Sequence, residues 1–380
     1  MLSPPPASSP ERIRVDGPLN RVPEVDEPAY HDDEWVDEDL LESEGLYRGS
    51  YKRLVLLYTL APLTIIVTIA LLAFLPQIAY HDHKKDNDYP YPALLPYPIP
   101  EILLPAALFA LTHLLRPTLS AIPNLLISES LTATLISTVL TSILSTFARL
   151  ISLCFLLIQS YAKYKQPTWH DPAFIRIWWA GLGWAAAEGV VAVAQGYSGL
   201  ALYRDVLVTS PIASSGVATP DSTEQQLSAS VERTPLLPRR TSSYQSSIPH
   251  PMNSSTILTD PDTELENDLD QLLALKARDE LEDVLGLPLV YIPPFIPPLQ
   301  RINAILLSLG LFLLLGVSLS VHGPIAVLLI GLAAATHALL STLHAPGVLP
   351  RVGLHSAAFI SAVVSLGVLF TGLGVWGGVS

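Results

Sequence analysis

The stretch LVLLYTLAPLTIIVTIALLAFL (residues 54–75) runs for 22 positions without a charged side chain. A helix rises ~1.5 Å per residue, so a run of this length crosses the roughly 30 Å hydrocarbon core of a bilayer. It therefore reads as a membrane span. Arg48, Lys52 and Arg53 stand immediately before it as a basic collar. Ahead of the collar, residues 1–46 are rich in Pro, Ser and acids with no apolar period, which predicts a disordered acidic tail. No short apolar core follows a basic start there, so the first span is expected to double as the targeting signal.

Further apolar runs lie at 102–115, 131–158, 174–196, 305–321, 325–340 and 354–375. The run at 102–115 is the shortest and is interrupted by Pro105. The pair Trp178–Trp179 near the start of the fourth run reads as an interfacial aromatic belt. Composition agrees with spans rather than soluble domains. Half of the residues are hydrophobic and 14% are charged, against roughly a quarter charged in soluble proteins. The expected fold is thus an all-α, polytopic transmembrane helix bundle of about seven spans. Its parts are the tail 1–46, spans one to four in 47–203, a disordered Ser/Pro-rich loop 204–262, an acidic helix with a Pro-rich lead in 263–300, and spans five to seven in 301–380.

Lys and Arg near the spans set the expected orientation. With the N-terminus cytosolic, the collar, Arg116, Arg204, Arg301 and Arg351 lie inside; Lys84, Lys85, Lys163, Lys165 and Arg176 fall outside. The loop is then cytosolic and the C-terminus lumenal. The formal charge of −13 resides in the tail and loops. With no Lys/Arg cluster to meet a run of phosphates, nucleic acid is excluded as a partner, and the lipid bilayer is the expected surroundings. The single Cys154 cannot form an intrachain disulfide.

Within the loop, Glu232-Arg-Thr-Pro-Leu236-Leu237 resembles an acidic dileucine sorting signal. The resemblance implies a clathrin-type adaptor as partner and a vacuolar or lysosomal endomembrane address. Arg239-Arg240-Thr241-Ser242 resembles a basophilic kinase site, whose phosphorylation at Ser242 would add a charge of about −1.5 to −2 beside that signal. Asp268-Leu-Asp-Gln-Leu272-Leu273 matches the dileucine pattern too, but a helix is predicted over 263–285 and its packing claims those leucines. Leu265, Leu269, Leu272, Leu273, Leu281, Val284 and Leu285 recur at helical spacing. Thr263 with Glu266 reads as a capping box, and Gly286 as the stop. The lead 287–301, with two Pro-Pro pairs, is expected to be extended.

Ionisable groups in a bilayer are costly and count as candidates for function. They are Glu129 and Arg149 in span three, Glu188 in span four with Gln195 beyond it, and His337, His344 and His355 in the last two spans, with His322 at the turn before span six. A carboxylate with two histidines is the minimum for metal-assisted hydrolysis. The pattern is similar to that of the CAAX-protease and bacteriocin-processing family, in which a Glu pair followed by Arg lies on one helix and His on two later ones. The resemblance implies a catalytic set of Glu188 with His337, His344 or His355. This chain departs from it: Gly189 follows Glu188, and Ala333 stands four residues before His337 where the family has Phe. The alternative is a structural pair of Glu188 with Arg149 or a histidine.

Loop one holds His81-Asp82-His83 with Asp86 and Asp88, a solvated tip or a metal site. Span three has a hydroxyl row (Ser130, Thr134, Ser137, Thr138, Thr141, Ser142, Ser145) and span four has Gly181, Gly183, Ala185, Ala187 and Gly189. Both patterns favour close helix approach, or in the first case a solute path. No phosphate loop, nucleotide fold, haem site or nucleophile elbow is present, so no cofactor is implied. The reading is a non-enzymatic, transporter-like or scaffold membrane protein, with a metal-dependent intramembrane hydrolase as the alternative; substrate and oligomeric state stay open.

Overall fold

The computed structural model describes residues 45–79, 98–126, 130–162, 164, 166–208, 261–321 and 323–378, and for 77, 79, 124, 126, 130 and 261–268 the backbone alone. The tail, loop one, most of the 204–262 loop, His322 and Glu129 lie outside these residues, as do Glu232, Leu236, Leu237 and Ser242. The chain divides into two compact units at Arg48. Of the first, residues 45–48 are described. The second is an all-α bundle, and among its described residues seven helices are long and apolar enough to cross a membrane.

Span one is two consecutive helices, Tyr51–Tyr58 and Leu60–Ala79. The interruption at Thr59 lies three residues before Pro62, which has no N–H to offer the carbonyl one turn back. The chain continues through it because Thr59 N–H still donates to Val55 O at 3.1 Å. Span two, Ile99–Leu126, is twice as long as its apolar core suggested. It passes Pro105, Arg116, Pro117 and Pro123 without ending. Each internal proline removes one backbone hydrogen bond, and the helix continues through it.

Span three is Ser130–Phe155, followed by a short helix, Ile158–Tyr161, after a turn with Leu157 at φ 51. Span four, Pro172–Ala201, starts as sequence rules dictate: Asp171 accepts from Ala173 N–H at 3.2 Å and Pro172 occupies the first turn, where no N–H is needed. Its tryptophans are not an interfacial belt. Trp178 and Trp179 are buried, and Trp178 Nε1 donates to Leu72 O of span one at 3.0 Å. Because the helix begins at Pro172, both rings fall nearly two turns inside it.

The loop helix is Pro261–Leu285, two residues longer at its start than the expected capping box allows. It stops as read: Gly286 adopts φ 77 and its N–H donates to Glu282 O at 2.7 Å. The following lead is a 3-10 turn at Leu289–Tyr291, and then span five already begins at Ile296. The expectation of an extended 287–301 fails there because Pro297 and Pro298 sit in the first helical turn, where proline's missing N–H costs nothing. Span six is Pro324–Leu343 and span seven Leu354–Val375, with the short helix Leu349–Val352 between them.

Span five is the axis of the bundle. A Cβ on its Gly310 would come 2.7 Å from the backbone nitrogen of Leu369 in span seven, and one on Gly372 of span seven 2.9 Å from Leu313 Cβ. Asn303 Nδ2 donates to Ala358 O at 2.9 Å and Trp376 Nε1 to Leu313 O at 3.1 Å, so spans five and seven are also hydrogen-bonded. Span four packs closely too: a Cβ on its Gly181 would come 2.9 Å from Leu309 Cδ1 of span five, and one on Gly183 2.7 Å from Ile102 Cα of span two. The small-residue seam of span four is therefore a packing surface, as close backbone approach requires.

Candidate functional site

The polar centre of the bundle is assembled from four spans. Span three supplies Arg149, which is 2% exposed. Its Nη1 donates to Ser145 Oγ one turn earlier at 2.8 Å. Its Nη2 reaches Ser308 Oγ of span five at 3.4 Å, and Ser308 Oγ donates to Glu188 Oε2 of span four at 2.8 Å. The Arg149 guanidinium also lies over the Trp184 ring, with Cζ 4.3 Å from the centroid. On the side of span six, His337 Nδ1 is 3.4 Å from Arg149 Nη1 and 3.2 Å from Thr146 Oγ1.

The chemistry of this set follows from its donors. Arginine only donates, so its approach to His337 Nδ1 is favourable when that nitrogen is unprotonated and the ring proton is on Nε2. Thr146 has one proton, and Ser142 O accepts it at 2.9 Å. Ser308 does the joining: it takes a hydrogen bond from the cation and gives one to the carboxylate, so the ion pair is relayed rather than direct. Arg149 Nε and Trp184 Nε1 are buried and meet no acceptor among the described residues.

Of the residues singled out in the sequence, Arg149, Glu188 and His337 come to this cluster. His344 does not: its Nδ1 is 2.9 Å from Leu340 O and its Nε2 3.5 Å from Ser361 Oγ. His355 is exposed at the start of span seven, edge-on to Phe295. Gln195 is exposed as well. The three histidines therefore do not gather on Glu188, because seven residues place His344 two turns along the helix from His337. Among the described residues no group of three or more His, Cys, Asp or Glu side chains is placed to hold a metal ion.

The hydroxyl row of span three does less across helices than its pattern suggested. Thr138, Thr141, Ser142 and Thr146 each donate to the carbonyl four residues earlier. This back-bonding satisfies a hydroxyl within its own helix. Ser145 and Thr146 reach the cluster with their hydroxyls. Ser308 and Trp184 went unread in the sequence, since one serine or tryptophan in a span carries no periodic signal.

A second polar contact ties spans two and four at the opposite end from the loop helix. Arg176 Nε donates to the buried Glu101 carboxylate at 2.6 Å, and its guanidinium covers the Tyr161 ring at 3.7 Å. Glu101 escaped notice because it stands one residue before the apolar run. Comparison with protein-family models, with curated proteins and with solved structures found no match.

Proposed function

We propose that this multi-pass membrane protein is a non-enzymatic, transporter-like protein of the vacuolar or lysosomal endomembranes, with Arg149, Glu188 and His337 as its membrane-embedded charge centre. The observation that carries the reading is the placement of a nearly inaccessible arginine among four spans, bridged to a carboxylate by one hydroxyl. Insertion of Arg at the centre of a span costs roughly 3 kcal/mol, so a charge held there is a mark of function by default. Glu188 and His337 both reach Arg149, Glu188 through Ser308 and His337 directly. Arg149 Nε and Trp184 Nε1, donors of this centre that meet no acceptor among the described residues, support a site that receives an acceptor-bearing solute or water. The separation of His344 and His355 from this centre supports a non-enzymatic role over the hydrolase.

The test is flux in proteoliposomes loaded with a pH-sensitive dye. Under an imposed potential the wild type is expected to move protons above the level of empty liposomes, and Glu188→Gln to abolish the excess. Wild-type flux equal to that of empty liposomes sinks the transporter reading. The scaffold reading, which the glycine-tight contacts of span five favour, then takes its place. The address rests on Glu232, Leu236 and Leu237 as an adaptor-binding peptide, tuned by Ser242. Replacing Leu236 and Leu237 with Ala is expected to divert the protein to another membrane, and unchanged arrival removes the motif.

A further inference from the structure

The loop helix Pro261–Leu285 is anchored by its second half, and its side chains from 269 to 277 are exposed. Arg278 is the residue that turns inward, with Glu282 3.8 Å from its Nε, and Tyr203 at the end of span four donates to that same Glu282 at 2.7 Å. A Cβ on Gly199 would meet Leu281 at 3.4 Å, and one on Gly286 would come 2.8 Å from Pro350 beyond span six. On the opposite face Leu269, Leu272 and Leu273 are 56%, 66% and 56% exposed. Sequence spacing assigned these leucines to the packed face. The structure corrects this: eight residues separate Leu273 from Leu281, more than two turns, and that offset rotates the two leucine sets apart.

The face is a stripe at helical spacing. Leu269, Leu272 and Leu273 form its apolar end; Lys276, Asp279, Glu280 and Asp283 continue it, with Asp270 at the flank. All of these side chains are exposed. Its one base, Lys276, is 3.9 Å from Glu280. The charge decides among occupants. An anionic bilayer repels three carboxylates on the face that would have to meet it; helices that lie on such bilayers are basic there. A second copy of the same helix would set those carboxylates against their own kind. A basic partner meets neither objection, and the anchored second half presents the helix already ordered, which lowers the entropic cost of docking.

We propose that this stripe is a docking surface for a basic amphipathic helix of a partner protein, whose apolar side covers Leu269, Leu272 and Leu273 and whose Lys or Arg side chains meet Asp279, Glu280 and Asp283. This is helix-to-helix recognition through spaced apolar anchors, with the acidic end setting direction.

The experiment uses the full chain in nanodiscs of uncharged phosphatidylcholine. The probe is a helical peptide of about 18 residues, five turns, with Leu on one face and Lys on the other. Saturable binding is expected, weakened about tenfold by Leu272→Ala with Leu273→Ala, and weakened again on raising salt from about 50 to about 500 mM. A peptide with Glu in place of Lys is expected not to bind. Because both leucines are exposed, the double variant keeps its fold, which unchanged helicity verifies. Equal binding to the variant, to empty nanodiscs or of the Glu peptide overturns the proposal. So does a wild-type dimer that the double variant dissolves, since a second copy would then be the occupant.

Discussion

Spans five and six are equally convincing as apolar helices, yet 72% of the most apolar stretch of span five is buried inside the bundle against 11% of that of span six. Lipid tails are as apolar as leucine, so hydropathy registers the bilayer and not the neighbouring helix. What separates the two is where a Cβ would fit. Gly310 and Gly316 of span five press against Leu369 and Ile177, while Gly331 of span six has open space around it. Span five is a fixed axis; span six is a peripheral helix whose polar hold on the interior is His337.

Four sets of substitutions are expected to separate the fixed interior of the bundle from its periphery. The largest effect is expected where the two spans share Arg149. Arg149→Met leaves the half-buried Glu188 with Ser308 as its partner among the described residues, and losing the cation's hydrogen bonds in the interior is expected to cost about 3 kcal/mol. Adding Glu188→Gln should recover much of that loss, because replacing both charges avoids an uncompensated one; thermal unfolding of the two variants in detergent reads the difference. Next comes Gly310→Val, expected to lose about 1–3 kcal/mol by overpacking against the span seven backbone. Gly331→Val in span six should leave the melting temperature where it was, and an equal loss at both glycines would end the distinction between axis and periphery.

A smaller effect is expected for His337→Ala, about 1 kcal/mol, since Arg149 keeps Ser145 and Ser308. Its proton flux in the liposome assay should fall all the same; flux retained in full would make His337 a packing residue. The smallest is Asp171→Ala, where loss of the cap of span four costs about 1 kcal/mol at most. Chemical denaturation should show that this loss adds to that of Gly310→Val, because the two sites are independent.

Much of the site was legible in part. Arg149, Glu188 and His337 stand out in the sequence because ionisable groups are rare in apolar runs. Ser308 does not, although it joins the cation to the carboxylate, because serine in a span is commonplace and its role depends on which way span five is turned. The same ambiguity hid the choice among His337, His344 and His355. Each lies in or beside a span, and only the rotation and height of its helix decide whether it meets Arg149. Proline misled at span five, where Pro297 and Pro298 did not delay the helix, because proline's cost depends on whether its missing N–H had a partner to lose.

By itself the sequence determined how many helices cross and roughly where, since crossing demands only length and the absence of charge. It also determined the stop of the loop helix, a local hydrogen-bonding matter settled by Gly286. Tertiary structure alone decided which span became the axis, which histidine met the arginine, and which leucines of the loop helix stayed bare. Those outcomes depend on the rotation of each helix about its own axis, and that rotation is set by glycine contacts and side-chain bonds to partners far away in the chain.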